Sequence, residues 1–391
     1  MNEPFQPGIV QLIGAQRAWI LGRRLGLVSH QAAVDCRGRS SAELLREVEG
    51  AELCRLFGLE HGFWGLTAAG DAVAETRHPY WDLPIVSLYD TVRKPTGEML
   101  ADLDALVFDV QDLGVRCYTY VSSLRYVLEA AAEHGCRVIV ADRPIPLPAV
   151  VDGPLQKPDF ASFVGYVPAP LHYGMTPGEA AGWLLQALGL DCDLKVVPMR
   201  GYDRDAIRTE AWPPFLPPSP GMRSWESAAC YAATVMFEAL PAIDHGRGGP
   251  LAFRVAGAPD LDAAALCAGL RARALPGVTF SEHRYRAQAG RHAERICDGV
   301  RLTVTERRAF RPVRTGLHIL AALGTQLGVA QLWREPEARP DFFDKLLGTD
   351  TVREALLAGQ DPATIAKGWA VDLAAFESER ERHLAYGSVR T

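Results

Sequence analysis

LVFDVQDLGVRCYTY (106–120) begins as an apolar run and turns within a few residues into carboxylates, an amide and an arginine. Three other stretches make the same change: LVSHQ (27–31), RLFGLEHGFWG (55–65) and VIVADRP (138–144). Short Val/Ile/Leu/Phe runs are the pattern of strands buried on both faces, as in an open parallel sheet. Ligands of such sheets bind just beyond the carboxyl ends of the strands. The pattern therefore predicts one rim that gathers His30, Glu60, His61, Asp109, Gln111, Asp112, Arg116, Asp142 and Arg143.

Between these runs strand and helix alternate. The text predicts an amphipathic helix over 10–24, a strand at 25–29, and a helix capped by Ser40 and Ser41 through residue 48. A strand before Glu60 follows, then a Gly/Trp/Tyr-rich loop over 62–82, a strand at 83–90, a short helical piece at 97–103 and a strand at 105–109. A helix over 121–134, ended by Gly135, leads into a strand at 137–141. This alternation predicts a doubly wound α/β domain with a mostly parallel sheet. Residues 144–160 are Pro-rich and read as an irregular surface loop. A helix restarts at 174–189, with Thr176 as its cap, Pro177 at its first position and Glu179 at its third. A strand at 194–199, a proline loop at 215–222 and a helix at 224–238 complete this part. Beyond the glycine cluster DHGRGGP (244–250) the pattern is α+β: a strand from 251, a helix over 260–273, paired strands at 278–286 and 299–307, a helix over 315–327 and two more. The expected domains are 1–249 and a smaller 250–391.

Composition narrows the function classes. The 391 residues carry a net charge of −6 with scattered arginines, so no basic footprint for nucleic acid is present. No run approaches the ~18 apolar residues of a membrane span, and the first residues lack the basic start of a secretory leader. The eight cysteines are dispersed, with no C-x-x-C pair. That spacing suits a reducing cytoplasm and gives no support to a zinc site. Neither a P-loop, nor G-x-G-x-x-G after the first strand, nor G-x-S-x-G is present, which disfavours nucleotide binding and serine hydrolysis by those routes.

The polar clusters point instead to acid–base work on a polar substrate. Glu60, set among Leu59, Phe63 and Trp64, suits a general acid, because an apolar setting favours a protonated carboxyl. Asp109 and Gln111 share one strand face, and Asp112 opens the turn at Gly114. Arg116 is placed to grip a carboxylate of substrate or protein, and Tyr118 and Tyr120 could form a platform for a sugar ring. Asp142 and Arg143 follow their strand directly. His172 precedes a helix N-terminus suited to anions or hydroxyls. His245 and Arg247 lie in a glycine cluster that could form an anion nest. Each of these residues has an equally good structural use as a cap, a loop brace or a rim ion pair.

GLVSHQAAVD, LFGLEHGFWG, SLYDTVRKPTGEML, LVFDVQDLGVRCYTY, ADRPIPL, PLHYGMTPGEAA and PPSPGM resemble, in that order, the signature blocks of the DUF1343 family, which includes exo-β-N-acetylmuramidases. RLTVTERRAFRPVRTGLHIL, FDKLLGTDTVREALLAGQ and IAKGWAVDLAAFESER extend the likeness over nearly the whole chain. The resemblance implies a Rossmann-like domain carrying the site and a smaller C-terminal domain closing a cleft. It implies release of N-acetylmuramic acid from the non-reducing end of peptidoglycan fragments, with no metal or organic cofactor. The family's catalytic glutamate, in a G-P-E-H-G block, falls on Glu60, and its D-[IV]-Q-D-x-G-x-R block on Asp109, Gln111, Asp112 and Arg116. Three departures stand out. Ile145 and Gly221 replace asparagines, and DHGRGG replaces S-E-G-R-G-T, so that His245 stands for a glutamate and Gly249 for a threonine.

The expected activity is a glycosidase with Glu60 as acid and either Asp109 or Asp112 as the second carboxylate or substrate-assisted attack by the N-acetyl group. Arg116, Arg143 or Arg247 would hold the lactyl carboxylate of a small carbohydrate substrate. The alternatives are a hydrolase of another acidic or N-acetylated glycoside and a non-catalytic muropeptide-binding protein.

Overall fold

The computed structural model describes residues 4–89, 91–204 and 212–387. Six strands form a parallel array: β1 (Arg24–Ser29), β2 (Glu52–Gly58), β4 (Pro84–Ser87), β5 (Ala105–Asp109), β6 (Arg137–Ala141) and β9 (Leu194–Val197). The short β3 (Thr76–Arg77) pairs antiparallel at one edge, giving the order β3-β4-β2-β1-β5-β6-β9. The chain steps outward from β1 to β4, then returns to β5 on the other side, so the topological switch lies between β1 and β5. The predicted strand at 83–90 is real over Pro84–Ser87, and Asp90 lies outside the described residues.

Alternation along the strands builds two apolar layers. Leu106, Phe108, Val138 and Val140 face the larger core, while Ala105, Val107, Ile139 and Ala141 face a smaller one with Ile9, Leu12, Leu44 and Leu45. The larger core continues without a break into the C-terminal half through Val313, Leu317 and Phe343. Helix starts follow local chemistry. Ser40 and Glu43 close a capping box before Ser41–Arg46, and Thr176 and Glu179 close another before Pro177–Leu188. Gly135 ends Tyr120–His134 in the left-handed conformation, φ 68.

Three sequence expectations are corrected. The helix expected over 10–24 is only Gly8–Ile13, halted at Gly14, with a separate single turn at Arg17–Trp19. The Pro-rich stretch is largely buried from Pro144 to Pro154 and reaches the surface at Lys157, Pro158 and Asp159. Ile145, Leu147, Val150 and Val151 are buried, and β7 (Asp152–Leu155) pairs with β8 (Pro170–His172) beneath the C-terminal helices. Prolines bring no N–H to satisfy, and the remaining carbonyls find buried donors. Gln111 donates to Pro144 O (2.7 Å), Arg204 to Pro148 O (2.6 Å) and Arg116 to Ala169 O (2.7 Å), while His172 meets Val150 O at 3.1 Å. Lastly, among the described residues five α-helices rather than two follow Pro312–Leu327, because Gly328, Gly348 and Gly359 interrupt the pattern and Pro340 and Pro362 restart it.

The C-terminal half carries an antiparallel sheet of β10 (Val255–Ala258), β12 (Ile296–Val304) and β11 (Val278–Arg286), in that order, packed on Ala263–Ala272. All eight cysteines are free, and no helix among the described residues is long and apolar enough to cross a membrane.

Candidate active site

A cavity of about 860 Å³ opens between the β2 end of the sheet rim and the C-terminal half. β2 delivers the chain to Glu60, after which His61 (φ 72) and Gly62 (φ 76) turn it through two left-handed residues. His61 is clamped there, its Nδ1 2.9 Å from Thr67 O. The turn leaves Glu60 half-buried in the cavity wall. Thr119 Oγ1 donates to Glu60 Oε2 at 2.5 Å, and Tyr89 OH to Oε1 at 3.3 Å. Each carboxylate oxygen thus has one fixed donor and one remaining acceptor site.

Tyr118 and Tyr120 flank Thr119 with ring centroids 5.0 Å apart, and Tyr118 meets Tyr231 edge-on at 5.5 Å. All three rings line the cavity. The loop carrying Ser219 to Met222 is hung from the sheet rim. Tyr120 OH donates to Pro218 O at 2.6 Å, Gln31 Nε2 to Pro217 O at 2.6 Å, and His30 Nδ1 lies 3.3 Å from Pro218 O.

The opposite wall comes from the chain after Trp225–Thr234. Glu238 takes a charged hydrogen bond from Arg247 Nη2 on one oxygen, and His245 Nε2 lies 3.9 Å from the same oxygen. Burial lowers the His245 pKa against the pull of Glu238. Arg247 is raised above its ordinary value: burial opposes its charge, but the Glu238 carboxylate and, more weakly, Glu60 outweigh that. Arg247 therefore feels carboxylates from both walls. Asp244, Arg291, His292, Glu337 and Arg339 add to the polar lining.

Of the residues expected at the rim, Glu60 and His61 line this cavity, and of the further site candidates Tyr118, Tyr120, His245 and Arg247 do. The others do not reach it. Asp109 and Arg143 form a fully buried ion pair, with Ser41 Oγ also donating to Asp109 and Arg143 Nη1 to Val34 O at 2.9 Å. Asp142 is buried at the start of Pro177–Leu188, bonded by Gly178 N (2.8 Å), Thr176 (2.7 Å) and Tyr386 OH (2.6 Å). Burial, reinforced by Glu179, pushes its pKa up to about 7. Asp112 is pushed up to about 6 by burial and holds Tyr173 OH at 2.6 Å. Among the described residues Arg116 pairs with no carboxylate. Its guanidinium is lowered to about 10 by burial and donates to backbone carbonyls, including Leu346 O (3.0 Å) at the negative end of Pro340–Leu347. Gln111 and His172 brace the proline-rich segment, as above. His30, lowered to about 3 by burial and by Arg143, accepts from Gln111 N at 2.8 Å and closes the switch crevice.

Sequence reading overlooked Glu238, Asp244, Tyr89, Thr119 and Tyr231. Glu238 had a signal: SAACYAATVMFEALPAI (227–243) contains that one charge in an otherwise uncharged, largely apolar stretch.

Two family profiles match the chain: the N-terminal domain of exo-β-N-acetylmuramidase NamZ over residues 25–226 and its C-terminal domain over 229–386. The chain belongs to the NamZ family. It is a glycosidase of the exo-β-N-acetylmuramidase group. It is 36% identical over 389 residues to the peptidoglycan β-N-acetylmuramidase NamZ of Bacillus subtilis (strain 168), covering 97% of this chain and 91% of that protein. Two crystal structures of DUF1343 family proteins from Bacteroides fragilis NCTC 9343 share the fold. One is 28% identical with a TM-score of 0.91, the other 25% with 0.78, and each alignment covers 98% of this chain and 99% of the other. The NamZ-family relationship accounts for a mostly parallel sheet joined to an antiparallel C-terminal sheet around one cleft.

Proposed function

We propose that the chain releases N-acetylmuramic acid from the non-reducing end of peptidoglycan fragments, with Glu60 protonating the leaving oxygen and Glu238 as the second carboxylate. The observation that carries this is Glu60 held by Thr119 and Tyr89 on one cavity wall while Glu238 stands on the other with Arg247. A hydroxyl can donate to an ionised carboxylate and accept from a protonated one, so Thr119 orients Glu60 on both sides of a proton transfer. Asp109 and Asp112 lie outside the cavity, and of the carboxylates that line it with Glu60 (Glu238, Asp244 and Glu337) Glu238 is the one that carries Arg247, which selects it as the partner. Arg247 is the guanidinium placed to meet a lactyl carboxylate, since its contact with Glu238 uses one of five donors. Eight free thiols suit work in a reducing compartment, and we place the enzyme in cytoplasmic salvage of wall sugars.

A second reading, a hydrolase of a different acidic glycoside, is favoured by where two of the departures fall. His245 shares Glu238 with Arg247, and a side chain at Gly221 would begin 3.4 Å from the same guanidinium. The anion-binding corner is therefore the part that differs from the family pattern.

The test compares p-nitrophenyl β-N-acetylmuramide, its N-acetylglucosaminide counterpart and the disaccharide N-acetylmuramyl-β-1,4-N-acetylglucosamine. Wild type should act on the two muramides alone. Glu60→Gln should slow the disaccharide by roughly 10²–10⁴-fold, the range of general acid catalysis. It should slow the p-nitrophenyl muramide far less, because that phenolate leaves without a proton. Equal losses on both substrates would remove Glu60 from the acid role, and turnover of the glucosaminide would favour the second reading.

A further inference from the structure

Beside the main cavity, β2, β4 and the loop after Glu60 enclose a smaller groove of about 190 Å³. His61 belongs to the walls of both, and the loop that continues from Thr67 through Gly70 passes from one to the other. We propose that this groove is the subsite for the sugar on the leaving side of the scissile bond, with Trp64 as its stacking platform. The proposal rests on the glycosidase reading of the main cavity.

The first argument is the state of Trp64. The turn after Glu60 points Phe63 inward, 7% exposed, and leaves Trp64 43% exposed beside Leu66, which is 84% exposed. Both side chains line the smaller groove, and exposed apolar surface gathered at a groove marks a binding surface. The indole is held from behind. Phe63 meets it edge-on at 5.2 Å and His78 at 5.1 Å; His78 stacks on Trp81 at 3.8 Å, and Arg46 covers Trp81 at 4.9 Å. A ring fixed by its neighbours presents a face at little entropic cost on binding. The second argument is chemical. Thr67 and Thr76 place hydroxyls among Val73, Ile85 and Val86, and among the described residues no Asp, Glu, Lys or Arg lines the groove. Scattered hydroxyls and an aromatic face suit an uncharged pyranose, with its apolar C–H face and polar edge. A charged peptide stem would find no partner there. The third argument is continuity. A muramyl unit beside Glu60 would direct the next sugar over His61 into the groove, so its occupant is the neutral N-acetylhexosamine of the leaving chain.

Trp64→Ala and Trp64→Phe are compared with wild type on the disaccharide and on β-N-acetylmuramyl fluoride, whose leaving group is too small to reach the groove. Trp64→Ala should lower kcat/KM on the disaccharide about tenfold, mainly through KM, and leave the fluoride within about twofold. Trp64→Phe should recover part of the loss. Equal loss on both substrates would make Trp64 a support of the catalytic loop and overturn the subsite, as would no loss on either. If wild type cleaves neither substrate, it is the glycosidase reading that fails. The subsite is then decided by binding of N,N′-diacetylchitobiose: affinity lost in Trp64→Ala supports it, and unchanged or absent binding overturns it.

Discussion

At the scale of single residues, the chain separates two kinds of polar group that look alike in sequence. Asp109 and Glu60 both end apolar runs, yet one is sealed in an ion pair and the other faces a cavity. The difference lies in what the tertiary structure brings opposite them. Arg143, 34 residues later in the chain, folds back onto Asp109, whereas Glu60 takes hydrogen bonds from the hydroxyls of Thr119 and Tyr89. Removing one partner of a buried pair strands the other charge at a cost of about 3–5 kcal/mol. Asp109→Asn should therefore lower the unfolding free energy in urea by about that amount while kcat per folded molecule stays within a fewfold of wild type. A selective loss of kcat with stability intact would return Asp109 to the chemistry. Glu238→Gln should show the reverse. It lies in the cavity wall, so turnover should fall on aryl muramide and disaccharide alike, with little change in the denaturation midpoint. Wild-type turnover in that variant would leave Glu60 without the partner proposed for it.

At the scale of elements, strands and helix caps were legible because their signals are local. The capping boxes at Ser40 and Thr176, the C-terminal glycine at Gly135 and the hydrophobic runs of β5 and β6 all work within a few residues. Of the site, Glu60, His61 and the two tyrosines were legible because they follow such runs directly. Glu238 was not, because its meaning depends on Arg247 and on a wall formed by a different element. The proline-rich segment misled for a related reason. Its composition predicts a loop but says nothing of the buried donors that let the loop lie inside. The loop at 215–222 depends on side chains of other elements in the same way. Tyr120 OH on Pro218 O helps set where Ser219 to Met222 border the cavity. Tyr120→Phe removes one hydrogen bond of about 0.5–1.5 kcal/mol. The disaccharide kcat/KM should fall about two- to tenfold if the full amount is lost from positioning. Unchanged kinetics would mean that the loop is held by His30 and Gln31 without help.

At the scale of the whole molecule, the last described residues close back onto the first domain. Tyr386 OH donates to Asp142 at the end of β6 and accepts from Met199 N at 2.9 Å. Ala385 N donates to Glu179 at 2.9 Å, Arg204 pairs with the same carboxylate, and Arg380 donates to Gly174 O at 2.9 Å. Sheet, middle helix and C-terminal tail thus meet at one buried polar knot whose centre is titratable. Burial and Glu179 hold the Asp142 pKa near 7 in the folded chain, against about 3.9 for a free aspartate. The folded state therefore binds a proton that the unfolded chain does not as pH falls from about 7 toward 4. This stabilises the fold by about 1.4 kcal/mol per pH unit in that window, and the gain is lost again as pH rises through 7. His30 and His172 act in the opposite sense. Their folded pKa values, about 3 and about 4, lie below the free value, so the stability they contribute is present above pH 6.5 and lost on acidification. A single pH curve mixes these effects, but the difference between wild type and Asp142→Asn isolates one of them. Both proteins keep the histidines, and only wild type can take up the proton at Asp142. The wild-type-minus-variant difference in Tm should therefore shift in favour of wild type between pH 7 and pH 4 and level off outside that window. A difference independent of pH would mean that Asp142 is ionised throughout, with the Tyr386, Thr176 and Gly178 donors outweighing its burial.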